Sequence, residues 1–238
     1  MRGRFLRILR TLWIAAGLSF ALWLYLGVQA SGVPDEAVES DRYVTVARTD
    51  RALEFRPLVN RQNASMIFLP GAMVEPTAYA PLLKKVAAAG YSTHLVYLPM
   101  RCAFTESQVT QLFHAIHEVM ASGPKTTWAL AGHSRGGMLA ARFLHENRTG
   151  LAGLALIGTT HPRDFSLAGV TMPVTKIYGT RDGVASYDKI RQNRHLLPTW
   201  VEIEGAITSS SVIIVTNSAI ARQPYRVPSS RSWSRLLY

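Results

Sequence analysis

The sequence predicts an α/β fold, with a mostly parallel sheet, helices on both faces and no large lid. Three observations lead to it. From residue 65 onward, short apolar runs alternate with stretches of helical period, the pattern of parallel strands joined by crossover helices. The chain has 238 residues and is 48% hydrophobic, which is enough for one domain with a sizeable core. A single cysteine, Cys102, excludes an intrachain disulfide framework and a zinc site built from several cysteines.

The first element is a membrane signal. Residues 1–10 carry Arg2, Arg4, Arg7 and Arg10 and no acid, and an uncharged run follows over residues 11–30. Twenty residues at a 1.5 Å rise give roughly 30 Å, the thickness of a bilayer's hydrocarbon core. Trp13, Trp23 and Tyr25 lie toward its ends, where amphipathic rings suit the headgroup region. The far flank, an acidic linker over residues 31–42, holds Asp35, Glu36, Glu39 and Asp41 before its first cation, Arg42. The positive-inside rule places the N-terminus in the cytoplasm and the rest of the chain on the extracytoplasmic side. The run reads as a transmembrane anchor. The alternative is a signal peptide cleaved after Val28-Gln29-Ala30, which would leave a secreted protein.

The domain then spans residues 43–205. Runs at residues 43–47 and 52–55 flank Thr49-Asp50 and read as an antiparallel hairpin. Residues 65–69 form a buried strand. Tyr79, Leu82, Leu83 and Val86 give one apolar helix face, which Gly90 ends. After a strand at 93–98, Thr105-x-x-Gln108 is a capping box, and Val109, Leu112, Phe113, Ile116, Val119 and Met120 are the face of the helix it starts. Next come a strand at 127–131, a helix at 137–146, strands at 154–157 and 174–178, a short helix near 186–194, and a strand at 200–203.

Charge excludes one class of function. There are 26 Lys+Arg against 15 Asp+Glu, a net charge of +11. Residues 205–238 hold four arginines and no acid, as residues 1–10 do. Removing four cations at each end from +11 leaves only +3 for residues 11–204. Nucleic-acid binding needs clustered cations on the folded domain, so no nucleic-acid partner is expected.

Chemistry enters at Gly132-His133-Ser134-Arg135-Gly136, between a predicted strand and a predicted helix. In that context G-x-S-x-G presents the serine hydroxyl above the sheet, at the helix N-terminus. His133, locked in the turn beside it, should not reach that hydroxyl. Phe68-Leu69-Pro70-Gly71-Ala72-Met73 ends an earlier strand in a turn, so the N–H of Ala72 and that of Arg135 are candidate oxyanion donors. Asp182, in Tyr178-Gly179-Thr180-Arg181-Asp182-Gly183, places a carboxylate past another strand's end, where it would orient a histidine. A plain turn aspartate is the competing reading.

With these motifs, residues 43–205 resemble the α/β-hydrolase superfamily. They are especially similar to a compact, dienelactone-hydrolase-like group of exported bacterial members. Leu69-Pro70-Gly71, Val74-Glu75-Pro76-x-x-Tyr79, the elbow at Ser134, the turn at Asp182 and Ile203-Glu204-Gly205 carry the resemblance. It implies a serine hydrolase opening a modest ester or similar acyl substrate through an acyl-enzyme on Ser134, with no cofactor and no metal. About 15 residues separate Ile157 from Pro173, too few for an inserted lid.

One part is missing. The superfamily's histidine follows the last strand, here just beyond Glu204, where this sequence has none. His94 lies in a strand, His114 and His117 on a helix without an evident third metal ligand, His145 late in the helix after the elbow, His161 in a loop, and His195 before the last strand. Residues 206–238 also change character: with Gly205 they hold eight serines and no helical period. If Gly205–Thr208 are encoded GGC-GCA-ATC-ACC, one restored G gives Gly-Gly-Asn-His, the kind of stretch the resemblance calls for. The tail thus reads as a frameshift product. The alternative for the tail is true divergence, as a basic partner-binding segment. The alternative for function is a catalytically inactive chain, either the frameshifted product itself or a pseudoenzyme that serves as a binding module.

The charge asymmetry generates a test of topology. A reporter active only in the cytoplasm, fused after Tyr238, is expected to stay silent, and strong activity would reverse the placement. Retention of residues 1–30 in the mature protein distinguishes anchor from signal peptide.

Overall fold

The computed structural model describes residues 2–203 except 28, 31, 124, 148, 149, 184 and 198. The tail assigned to residues 206–238, and the Gly205 boundary, lie outside the described residues. The chain opens with α1 (Arg2–Gly27). Its stretch Arg4–Trp23 is long and apolar enough to cross a membrane, and Phe5, Leu12, Trp13, Leu18 and Trp23 are all exposed. The helix thus starts before the uncharged run of residues 11–30 and covers most of it. The helix begins within the arginines, because Arg has nearly the helix propensity of Leu and nothing interrupts the turn. Trp13 therefore stands near the middle of α1, not at an end.

An eight-stranded sheet forms the domain. The hairpin β1 (Val44–Arg48) and β2 (Ala52–Pro57) leads to β3 (Ala64–Leu69), α2 (Ala80–Ala88) and β4 (Ser92–Val96). There follow α3 (Glu106–Ala121), β5 (Thr127–His133), α4 (Arg135–Glu146), β6 (Leu151–Ile157), β7 (Val174–Gly179), α5 (Tyr187–Gln192) and β8 (Thr199–Ile203). The spatial order is β1-β2-β4-β3-β5-β6-β7-β8. β2 runs antiparallel to both β1 and β4, and every other neighbouring pair is parallel.

Period-two alternation fixes which side chains meet which helix. Ile67, Leu69 and Leu130 face a core shared with Val109, Leu112 and Ile116 of α3 and Leu139, Phe143 and Leu144 of α4. Phe68, Leu95 and Ala131 face the opposite core, with Leu83 and Ala87 of α2. The capping box forms as expected: the Thr105 side chain accepts from Gln108 N–H, and Gln108 Oε1 accepts from Thr105 N–H. Gly90, at φ 106°, ends the α2 region in a conformation that suits glycine.

This order creates a switch point. From β3 the chain crosses to β4 on one side, then returns past β3 to β5 on the other. Loops after β3 and β5 therefore diverge, opening a crevice at the carboxyl ends of the strands, where open α/β sheets bind ligands.

Helix α4 packs there against bare backbone. A Cβ on Gly136 would sit 2.2 Å from the Leu69 carbonyl oxygen and 2.4 Å from that of Pro70. Neither can yield without moving the end of β3. Gly136→Ala is expected to destabilise the domain by about 3 kcal/mol, the upper part of the overpacking range. Urea unfolding in detergent checks it; a loss below about 1 kcal/mol would mean that α4 rides further from the sheet.

Candidate active site

Between the last residue of β5 and the first of α4 stands Ser134 alone, at φ 52° and ψ −114°. A non-glycine residue rarely holds such angles, and they cost on the order of 1–3 kcal/mol. The surroundings enforce them. Ser134 N–H donates to the Ile157 carbonyl at 2.9 Å, and its own carbonyl accepts from Met138 N–H at 3.1 Å. Gly132 is equally constrained, since a Cβ there would meet the Gly136 carbonyl at 2.4 Å. The Ser134 hydroxyl does not cap α4 and has no hydrogen-bond partner among the described residues.

On the β3 side, the loop after Leu69 spends its amides selectively. Gly71 N–H donates to the Tyr79 hydroxyl at 2.8 Å, and Met73 N–H to the Arg101 carbonyl at 2.8 Å. Ala72 N–H, between them, has no acceptor among the described residues. Arg135 opens α4, so its N–H has no acceptor within the helix. Two unspent donors thus sit on the loops that flank the switch point, where a developing oxyanion would need them.

A third loop braces both. The turn Pro99–Arg101 and the residues after it follow β4. Its Arg101 carbonyl takes Met73 N–H, and the Arg101 guanidinium pairs with Glu75. Arg135 reaches across to the same loop, donating from Nε to the Cys102 carbonyl at 3.1 Å and from Nη2 to the Ala103 carbonyl at 2.6 Å. Strain concentrates here. Six described non-glycine residues have positive φ, and all but Asn60 lie in these three loops: Met73, Met100, Arg101, Ala103 and Ser134.

Asp182 lies past the end of β7 and is buried, its Oδ1 accepting Ala185 N–H at 2.9 Å. β6 separates β5 from β7, so roughly 10 Å of sheet lies between the two strand ends. That gap suits an imidazole bridging serine and carboxylate.

No described histidine fills it. His133 is buried with Nδ1 turned to the Tyr79 hydroxyl at 2.9 Å, away from any role as base. His94 lies 3.6 Å from Glu54 inside the sheet, with burial lowering its pKa. His117 pairs with Asn147 at 3.2 Å, and His145 stacks on Phe165. Among the described residues no cluster of His, Cys, Asp or Glu could hold a metal. His161, half-buried in the loop after β6, is kept neutral chiefly by burial and also by nearby cations, Arg163 first among them. Its carbonyl accepts from Lys176 Nζ at 2.7 Å.

Three contributors escape sequence reasoning: the Tyr79 hydroxyl, the Arg135 guanidinium and Lys176. Tyr79 reads as part of an apolar helix face, yet it stands in the turn Pro76–Tyr79 ahead of α2. The available signal was its type, since a buried tyrosine needs a partner for its hydroxyl.

Residues 65–210 match the family model described as "Alpha/beta hydrolase family". No curated protein matches the sequence. An alpha-beta serine hydrolase homologue from Coxiella burnetii superposes with a TM-score of 0.56 at 14% identity, covering 76% of this chain and 96% of that one. A Klebsiella pneumoniae protein described as a dienelactone hydrolase gives 0.53 at 17%, covering 78% and 90%. An esterase of Pyrococcus furiosus gives 0.58 at 12%, covering 82% and 94%.

Lys176 supplies a pH-dependent prediction. Full burial lowers its pKa to about 7, while the unfolded chain titrates near 10.4. Between those values the unfolded state binds more protons, so this group makes stability rise with pH from about 7 to about 10. Below 7 the whole cost of charging a buried amine is present. Lys176→Met should flatten that rise, measured by urea unfolding at pH 7 and pH 9. An unchanged slope would show that Lys176 is solvated.

Proposed function

Because this chain belongs to the alpha/beta hydrolase family, we propose that it is a serine hydrolase acting on a modest ester or similar acyl substrate. The observation that carries this is Ser134, strained at φ 52° at the start of α4 beside two uncommitted backbone donors. In this reading Ser134 Oγ attacks the acyl carbon, and its proton passes to a base. The carbonyl oxygen becomes an oxyanion held by Ala72 and Arg135 N–H. The C–O bond to the leaving alcohol then breaks as the base returns the proton, and water repeats the sequence to free the acid. Asp182 orients the base and stabilises its charged form. No described histidine of this chain takes that place; in this reading the base is one that a restored reading frame would place after β8. The apolar helix α1 anchors the domain on the extracytoplasmic side, or is removed as a signal peptide.

The absence of a histidine at the expected position favours a second reading, a catalytically inactive chain. One experiment separates them. Fluorophosphonate labelling that is lost in Ser134→Ala supports the hydrolase, while folded protein that never labels supports the inactive chain. Reinserting the base at the Gly205 codon should raise hydrolysis of a short p-nitrophenyl ester by about 10²–10⁴-fold, the usual worth of general-base participation. The rise must vanish in Ser134→Ala. A gene with no frame encoding Gly-Asn-His there would remove the frameshift explanation and make His161 the first base to test.

A further inference from the structure

We propose that Tyr79 is a positioning residue for the oxyanion hole, holding the loop after β3 against the nucleophile turn through a hydrogen-bond chain from Gly71 N–H to Tyr79 to His133 Nδ1. The proposal rests on the serine-hydrolase reading and deepens it.

Both rings are buried, Tyr79 at 0% and His133 at 2% exposure. The direction of each hydrogen bond follows from what each group can do. Gly71 N–H can only donate, so the Tyr79 oxygen accepts it at 2.8 Å. Burial raises the Tyr79 pKa, so the phenol keeps its proton. Among the described residues the only acceptor within reach of that proton is His133 Nδ1, at 2.9 Å. With Nδ1 accepting that proton, His133 carries its own ring proton on Nε2. The contact leaves no slack: a Cβ on Gly71 would lie 3.0 Å from His133 Nδ1 and 3.1 Å from the Tyr79 oxygen.

The consequence falls on Ala72. Its two neighbours are pinned in different directions, Gly71 to Tyr79 and Met73 to the Arg101 carbonyl. The peptide between them has its orientation set before any substrate arrives. Preorganisation of this kind is what gives an oxyanion donor its effect. His133 also precedes Ser134 in the chain, so the same tyrosine ties the donor loop directly to the nucleophile turn.

The test uses the full chain in detergent and two readouts. First, ¹⁵N spectra of the histidine rings between pH 6 and 8 should show one ring protonated at Nε2 and bare at Nδ1 throughout, and that signal should move in Tyr79→Phe. A His133 ring protonated at Nδ1 overturns the proposal, and this wild-type measurement decides even if the variant fails to fold. Second, phenylboronic acid probes the site. Ser134 Oγ bonds to boron, its proton leaves to solvent, and the tetrahedral boronate places an oxygen at the Ala72 and Arg135 amides. The adduct should disappear in Ser134→Ala and weaken about tenfold in Tyr79→Phe, the scale of one lost hydrogen bond. An adduct that forms equally well in Tyr79→Phe overturns the positioning role and leaves the hydrolase reading standing. No adduct in the wild type, with the ring signal as expected, overturns the hydrolase reading and the role in catalysis with it.

Discussion

Close backbone contact between the start of α4 and the ends of β3 and β5 is the constraint on which the rest of the site depends. Gly132 and Gly136 permit it, because a side chain on Gly132 would overlap the backbone of α4 at Gly136, and one on Gly136 would overlap the carbonyls of Leu69 and Pro70 at the end of β3. Once the helix is that near, the chain has one residue in which to reverse direction, and Ser134 takes up a conformation ordinarily left to glycine. The cost is offset by the buried face of α4, where Leu139, Ala140, Ala141, Phe143 and Leu144 are all at or below 1% exposure. Burying side chains of that size contributes several times the strain of one residue, by roughly 1.5–3 kcal/mol for each large one. The helix N-terminus, with its unpaired amides and positive dipole end, is thereby delivered to the crevice at the switch point.

A strained serine needs neighbours that do not relax. The loops after β3, β4 and β5 hold one another through backbone carbonyls, with the β4 loop as the common partner: Arg101 accepts from Met73, while Cys102 and Ala103 accept from Arg135. The residue type at position 135 follows from this. A guanidinium presents its donors in a rigid planar fork and can satisfy two successive carbonyls at once, which a lysine ammonium on a flexible stem does less well. The motif's fourth position therefore acts twice, its amide aimed at the crevice and its side chain fastening the turn to the sheet.

The fold was largely legible, because each strand is an apolar run and each crossover helix shows its own period. Where boundaries moved, a particular residue explains it. β4 stops at Val96 rather than running to 98, since Pro99 cannot continue the ladder. α4 starts at Arg135, two residues before the expected start, because Gly136 looks like a poor helix former until its close packing is known. The positions of two turns were also legible: Ser134 stands between β5 and α4, and Asp182 lies past the end of β7. The Tyr79–His133 link was not, since residues 79 and 133 meet only when β3 and β5 lie side by side. Lys176 was invisible for a similar reason: a lysine in a strand reads as edge-exposed, yet β6 and β8 flank it and its amine is spent on the His161 carbonyl.

The missing base bears on how the two functional readings compare. A binding module has no use for a serine held at positive φ, for amides left unspent beside it, or for a buried carboxylate past β7. The strained serine costs stability and the two amides have no acceptor among the described residues, so a chain free of catalytic duty would be expected to lose these features by drift. Here they occur together, within the residues 65–210 that match the family model. Gradual decay would scatter damage across core and loops alike. Under the proposed frameshift, a single lost base would leave everything upstream coherent and change every residue downstream, including the charge balance, where four arginines meet no acid. The strained serine and the unspent amides therefore accord with the proposed hydrolase better than with a binding module. Under the proposed reading, with Ser134 as nucleophile and Asp182 as acid, what the described residues do not supply is one proton acceptor between the two.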